Sequence, residues 1–305
     1  MNKDLTKKLA SGHSTCAGCG IPAIVRTVLG AIDRPVVVVN ATGCLEVTTT
    51  IYPYTAWKVP YIHSAFENAG ATVSGIETAY RVLMKRNFKT NRGKKIKFIV
   101  FGGDGGTYDI GLQSFSGAME RGHDFLYICY DNEGYMNTGG QRSGATPYGA
   151  ETQTTPASED DIGNDLERKD LMKIVAAHGV KYLAQANVAY LEDLKQKVKK
   201  AVAVEGPSFL VVLQPCTNEW KFASSDYVRY GRLATETNFW PLYEIENGNY
   251  KINHIPKEKK PVEEFLKGQG RFKHLFTKKN KKIIDYIKKR IEENWNKLLE
   301  KSQIS

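Results

Sequence analysis

Four of the five cysteines in this 305-residue chain are spaced as metal ligands: Cys16 and Cys19 form a C-x2-C pair, Cys44 follows, and Cys216 lies far downstream. A C-x2-C loop presents two thiolates to one centre, and Gly18 and Gly20 allow the tight turn this needs. By ligand count, four thiolates suit zinc and a 4Fe–4S cluster equally. The second C-x2-C of a zinc ribbon is missing, which weighs against zinc. The redox arrangement in which a strand leads into the pair and the pair opens a helix is not matched either. Cys129, inside the run ICYD, reads as a small buried hydrophobe.

A second constellation falls between Cys44 and Cys216. Gly103, Asp104, Gly105 and Gly106 follow the apolar run FIVF, and Asn132 stands 28 residues after Asp104 at the end of another such run. Glycines admit close backbone approach to a phosphate and positive φ, and a following helix offers its amides to the anion. Asp104 supplies a hard oxygen for magnesium, Asn132 a second, and the Gly134 carbonyl a third. A Gly-rich turn with a capping aspartate is common in α/β proteins, but Asn132 at a neighbouring strand end favours a diphosphate–magnesium site. The glycine pattern does not fit a nicotinamide fingerprint.

Both constellations need strand ends to hold them. Val36–Asn40, Ile96–Phe101, Phe125–Asp131 and Phe209–Gln214 read as buried strands, with a shorter one at Val180–Leu183. Helical spacing is expected over Ala69–Lys85, Asp109–Arg121, Leu166–Ala177 and Leu191–Val204, with Asp165 as N-cap of the third, and over Lys281–Lys301. This alternation predicts an α/β fold with a mostly parallel sheet covered by helices on both faces, ligands sitting beyond the strand C-termini. Gly134 to Asn164 is rich in Gly, Thr, Ser, Pro and Gln and reads as a functional loop. Residues 1–215 are expected to form the cofactor domain with the cysteine site. Residues 216–305 are expected to form an irregular, basic C-terminal extension ending in a helix.

Composition excludes several classes. The chain is 41% apolar and 25% charged, as expected for a globular protein. No apolar run approaches the roughly 20 residues of a membrane helix, and the start lacks a secretory apolar core. The expected location is cytoplasmic, with no membrane partner. The net charge of +10 is concentrated: residues 251–305 hold 16 lysines and arginines against 7 acidic residues. That tail lacks the interleaved aromatics of a nucleic-acid reader, so no nucleic-acid partner is expected. A solvated helix face is the plain reading, and a dock for an acidic electron carrier the sharper one.

Four segments are individually distinctive: GHSTCAGCG, NATGCLEVTTTIYPYTAWKVPYIHSAFENAGATVSGIE, FGGDGGTYDIG and DNEGYMNTGGQRSGATP. They resemble the β subunits of pyruvate:ferredoxin oxidoreductases (pyruvate synthases), of the 2-oxoacid:ferredoxin oxidoreductase family. The likeness runs from Gly12 to Thr217, and the lysine-rich end matches loosely. It implies a thiamine-diphosphate-binding fold and three cofactors: thiamine diphosphate, Mg2+ and a 4Fe–4S cluster. Cys16, Cys19, Cys44 and Cys216 match the cluster ligands; Asp104, Asn132 and the Gly134 carbonyl match the magnesium ligands. Gly103, Gly105 and Gly106 match the diphosphate cradle, with Gly43 and Cys44 against the cofactor. Asn137 matches a polar catalytic residue facing the thiazolium and substrate.

The implied reaction is CoA-dependent oxidative decarboxylation of pyruvate to acetyl-CoA and carbon dioxide, reversible, with single electrons passing to ferredoxin. The implied partners are an alpha subunit and further gamma and delta subunits. The glutamate that activates the cofactor ring comes from a partner, so the chain alone is expected to be inactive. Glu67 is a local candidate for that role but reads as a helix cap, and His13 and His63 stay unassigned. The alternatives are another 2-oxoacid (branched-chain, 2-oxoglutarate or oxalate), a non-redox thiamine diphosphate decarboxylase or synthase subunit, or a cluster protein without the cofactor.

Overall fold

The computed structural model describes residues 8–86 and 95–303. Its strands are β1 (Val36–Ala41), β2 (Tyr61–Ser64), β3 (Lys97–Gly103), β4 (Phe125–Asp131), β5 (Tyr182–Asn187), β6 (Ser208–Leu213), β7 (Tyr243–Glu246) and β8 (Asn249–Ile252). They form one eight-stranded sheet in the order β2-β1-β3-β4-β6-β5-β7-β8. The first six are parallel, and β7 and β8 join antiparallel. Every residue of β4 and β6 is buried, because a strand without a polar face must be covered on both sides.

Helices do the covering. On one face lie α1 (Ile21–Gly30), α2 (Cys44–Thr49) and α6 (Leu191–Ala203), whose Ile24, Val28, Leu45 and Val198 share a core with Val38 and Ile128. On the other lie α3 (Ala69–Lys85), α4 (Leu112–Glu120) and α5 (Leu171–Ala176), joined by α7 (Tyr227–Glu236), α8 (Val262–Lys267) and α9 (Lys281–Gln303). Val73, Phe115, Val175, Leu233, Phe265 and Ile287 meet in that second core. Residues beyond 215 thus contribute two strands to the sheet and three helices to its cover. In α9, Ile283, Ile284, Ile287, Trp295 and Leu298 face inward, and Lys288 and Arg290 pair with Glu263 and Glu167 of the same chain. No helix among the described residues is long and apolar enough to cross a membrane.

Two helix starts differ from the sequence expectation for the same reason. Helix α5, expected over Leu166–Ala177, begins after Asp170, whose side chain accepts from the Lys173 amide (3.0 Å), and not after Asp165. Residues 164–169 are drawn out as a strap: Asn164 donates to the Thr146, Pro147 and Leu166 carbonyls, and Arg168 reaches Asp131 and Glu133. Asp109, expected inside α4, is held by Tyr135 Oη (3.0 Å), the Gly144 amide (2.8 Å) and Lys169 Nζ (2.6 Å). The helix therefore starts at Leu112. Tertiary hydrogen bonds to polar side chains override local propensity in both places.

Candidate functional site

The strand order puts four chemistry-bearing segments side by side. Adjacent strands β1, β3, β4 and β6 are followed, in that order and within three residues, by Gly43-Cys44, Asp104, Asn132 and Cys216. This is the carboxyl edge of the parallel sheet, where doubly wound folds bind ligands.

Asp104 is buried and heads a π-helical turn, Gly105–Asp109, an uncommon geometry found most often at functional positions. Ser143 Oγ donates to its Oδ2 (2.5 Å) and the Asn132 amide to its Oδ1 (3.3 Å). Burial first, then the charge of Asp131, raise the Asp104 carboxyl well above its ordinary range. The end of the Asn132 carboxamide lies 2.8 Å from Asp104 Oδ1 and 2.9 Å from the Gly134 carbonyl oxygen. With its NH2 turned inward, the amide hydrogen-bonds both; with its oxygen inward, three hard oxygens converge. Neighbouring oxygens on an octahedral magnesium, with Mg–O at 2.0–2.1 Å, stand about 2.9 Å apart. The donor set and its spacing therefore fit that ion.

The glycines meet a different demand from the one expected. Gly103, Gly105 and Gly106 do not adopt positive φ; close approach requires them. A Cβ on Gly105 would stand 2.4 Å from the Tyr135 ring, and one on Gly106 3.0 Å from Phe66. Tyr135 cannot yield, since it is bonded to Asp109 and packed edge-on against Phe66. Gly105→Ala is expected to displace the turn and weaken thiamine diphosphate retention by roughly 10–100-fold, the range for groups that orient a metal site. Gly75→Ala, in open space on α3, should leave retention unchanged and raise stability by about 0.5–1 kcal/mol. Cofactor titration and thermal unfolding of both variants check this; equal retention in the two would remove the steric role.

The thiols gather from three segments. Cys16 and Cys19 lie on a turn closed by Cys19 N–H to the Cys16 carbonyl (3.0 Å). Gly18, at φ 73°, lies so close to the Ser224 carbonyl that no side chain would fit. Thr217 Oγ1 donates to the Ala17 carbonyl (3.1 Å) and Asn218 Nδ2 to Cys16 Sγ (3.4 Å), which docks the loop on the segment after Cys216. The pair leads directly into α1, with no strand before it among the described residues. Burial, above all, pushes the Cys19 thiol up to about 12 and raises those of Cys44 and Cys216. Cys44 feels Cys216, Cys19 and Cys16, and Asp104 as well.

No group of three or more His, Cys, Asp or Glu side chains among the described residues closes tightly enough to grip one ion. A tetrahedral zinc, at about 2.3 Å per bond, would need its sulfurs roughly 3.8 Å apart. A four-iron cubane spreads its four corner thiolates more widely, and four cysteines brought together from three segments are the donor set it takes.

Cys129 is fully buried within β4, as expected. Asn137 stands at the exposed tip of the turn 136–139, which the Tyr135–Gln141 bridge closes. Glu67 precedes Asn68, the residue before α3. His13 contacts Thr15 and Arg26, and His63 contacts Thr42. Ser143, Trp220, Arg271 and Tyr130 were not singled out from sequence. Trp220 Nε1 donates to the Asn132 carbonyl (2.9 Å), and Arg271 holds Glu133, the residue beside it (2.6 Å). The one local signal was SGATP, a polar stretch too well punctuated for an idle loop.

Residues 41–212 match the thiamine pyrophosphate enzyme family, C-terminal TPP binding domain. The chain is 53% identical over 278 residues to pyruvate synthase subunit PorB of Methanocaldococcus jannaschii, covering 91% of this chain and 93% of that one. It is 50% identical over 302 residues to PorB of Thermotoga maritima, covering 97% and 93%. The solved 2-oxoglutarate:ferredoxin oxidoreductase of Magnetococcus marinus, with 2-oxoglutarate, coenzyme A and succinyl-CoA bound, shares the fold at a TM-score of 0.61 and 20% identity, covering 92% of this chain and 95% of that one. The chain therefore belongs to the thiamine pyrophosphate enzymes and, among them, to the PorB subunits of pyruvate synthases, a family of 2-oxoacid:ferredoxin oxidoreductases.

Proposed function

We propose that this chain is the β subunit of a cytoplasmic pyruvate:ferredoxin oxidoreductase that converts pyruvate and coenzyme A reversibly to acetyl-CoA and carbon dioxide. The observation that carries the reading is the side-by-side arrangement of the Asp104–Asn132–Gly134 oxygens and the four-thiol group at one sheet edge, in a chain 53% identical to a PorB subunit. Bound thiamine diphosphate supplies the carbon nucleophile and electron sink for decarboxylation, and a 4Fe–4S cluster supplies one-electron acceptance. Asp104, Asn132 and the Gly134 carbonyl would hold magnesium and, through it, the diphosphate. Ser143 keeps the Asp104 carboxylate oriented. Cys16, Cys19, Cys44 and Cys216 would hold the irons.

Asn137, at its exposed turn tip, would meet substrate where a partner chain closes the site. Ile51, Tyr52 and Tyr54 stand exposed just after α2, with Tyr52 at 93% accessibility. Such an exposed apolar group, a few residues after Cys44 in the chain, suits burial by an alpha subunit. The gamma and delta subunits and ferredoxin complete the proposed assembly.

Co-expression with the partner chains and purification without oxygen test this reading. The assembled enzyme is expected to be brown, with a reducible paramagnetic signal, and to reduce ferredoxin fastest with pyruvate, only when coenzyme A is present. A colourless, zinc-loaded protein would sink the cluster assignment. Aldehyde release without coenzyme A dependence would point to a non-redox decarboxylase, and faster turnover of 2-oxoglutarate or a branched-chain acid would overturn the substrate.

A further inference from the structure

Tyr130 carries a polar group that the fold leaves unused. It lies on β4 with 2% of its surface exposed, between Gly103 on β3 and Val212 on β6. Two glycines make room for it. A Cβ on Gly103 would stand 3.2 Å from its ring, and one on Gly43 2.8 Å from its hydroxyl oxygen. That oxygen is buried, and among the described residues its O–H has no acceptor. Leaving a buried hydroxyl unsatisfied costs about 1–3 kcal/mol, and a phenylalanine would fill the same space without that cost. A tyrosine here therefore suits an acceptor that forms only when the site is loaded.

Its neighbours narrow the choice. The Leu45 amide nearby is a donor and cannot take the proton. The two Asp104 oxygens are engaged by Ser143 and Asn132, and in the proposed site this carboxylate faces the magnesium ion. The remaining group is Cys44, the first residue of α2, directly after Gly43. Among charged forms nearby, the Cys44 thiolate acts most strongly on this phenol.

We propose that Tyr130 donates its hydroxyl hydrogen bond to the Cys44 sulfur when that sulfur ligates the iron–sulfur cluster, and so raises the cluster's reduction potential. The inference rests on the cluster reading of the four cysteines above. Hydrogen bonds to cluster sulfurs favour the reduced, more negative state. Tyr130 is thus a positioning and tuning residue that acts through a cluster ligand.

Tyr130→Phe removes only the oxygen. The full chain and this variant, purified without oxygen, are titrated with a reductant while the visible absorption and paramagnetic signal are followed. Iron, sulfide and thiamine diphosphate contents are measured on the same samples. The variant is expected to keep all three, while its cluster becomes about tenfold harder to reduce, roughly 59 mV more negative for one electron. An unchanged midpoint at full iron content overturns the inference and leaves the cluster reading intact. An unchanged midpoint with weakened thiamine diphosphate retention reassigns the hydroxyl to the diphosphate. Absence of iron from both proteins removes the cluster reading and this inference together.

Discussion

Asp104→Ala is expected to strip thiamine diphosphate from the assembled enzyme and leave its iron content intact. Asp104 supplies the only carboxylate among the three oxygens that converge near Asn132, and therefore the only full negative charge facing the cation from that set. Outer-shell partners of a bound metal are worth roughly 10–100-fold in affinity, so loss of a charged ligand should exceed about 100-fold. Asp104→Asn separates charge from shape: it keeps an acceptor for Ser143 but loses the charge, and should fail almost as badly. Stability should move the other way. Burial and Asp131 already oppose ionisation of this carboxyl, so without metal the fold carries an unfavourable charge. The metal-free Asp104→Asn chain should melt no lower than the metal-free parent. Equilibrium dialysis with labelled cofactor, iron analysis and thermal unfolding give the three readouts. Cofactor held as tightly by both variants as by the parent would remove Asp104 from the magnesium site.

Much of this site was readable before any coordinates, for a physical reason. A strand buried on both faces is a continuous apolar run, and the residue that follows it must lie at the sheet edge. Asp104, Asn132, Cys44 and Cys216 each follow such a run, so one inference about strands placed four candidate ligands on one rim. Ala69–Lys85 and Phe125–Asp131 were likewise legible to the residue, because their apolar spacing has a single solution. What escaped depends on contacts distant in sequence. Ser143 is 39 residues from the carboxylate it orients, and Arg271 is 138 from Glu133. Asp165 and Asp170 look equally fit to cap a helix, and the difference lies in Asn164 and Arg168 being pulled to other partners. Positive φ at the loop glycines was a wrong reason for a real requirement, since the rings that demand glycine, Tyr135 and Phe66, approach from other segments.

Arg271→Met should destabilise the chain by roughly 3–5 kcal/mol, the cost of leaving a buried charge without its partner. Glu133 is buried at φ 66°, directly after the magnesium-ligand candidate Asn132. Burial raises its carboxyl, while Arg271 and Arg168 pull it back toward ionisation. Arg271 donates to Oε2 (2.6 Å) and Arg168 to Oε1 (3.0 Å), so each carboxylate oxygen has its own guanidinium. Arg168 also bonds Asp131 (2.7 Å) and Tyr108 (2.9 Å), so it cannot turn to replace Arg271. Arg271 further stacks on Trp220, 3.7 Å from the ring centroid, and Trp220 in turn holds the Asn132 carbonyl. The segment beyond residue 215 thus fixes the chain on the C-terminal side of a proposed magnesium ligand, and Arg271→Met should weaken thiamine diphosphate retention along with stability. A second substitution isolates the cause. Glu133→Gln with Arg271→Met removes both charges, and because a buried pair is often replaceable by neutral groups, the double variant should be more stable than Arg271→Met alone. Denaturant unfolding of the four proteins in this cycle measures the coupling. A double variant that loses the sum of the two single losses would show that Arg271 acts through packing on Trp220 and not through the charge of Glu133.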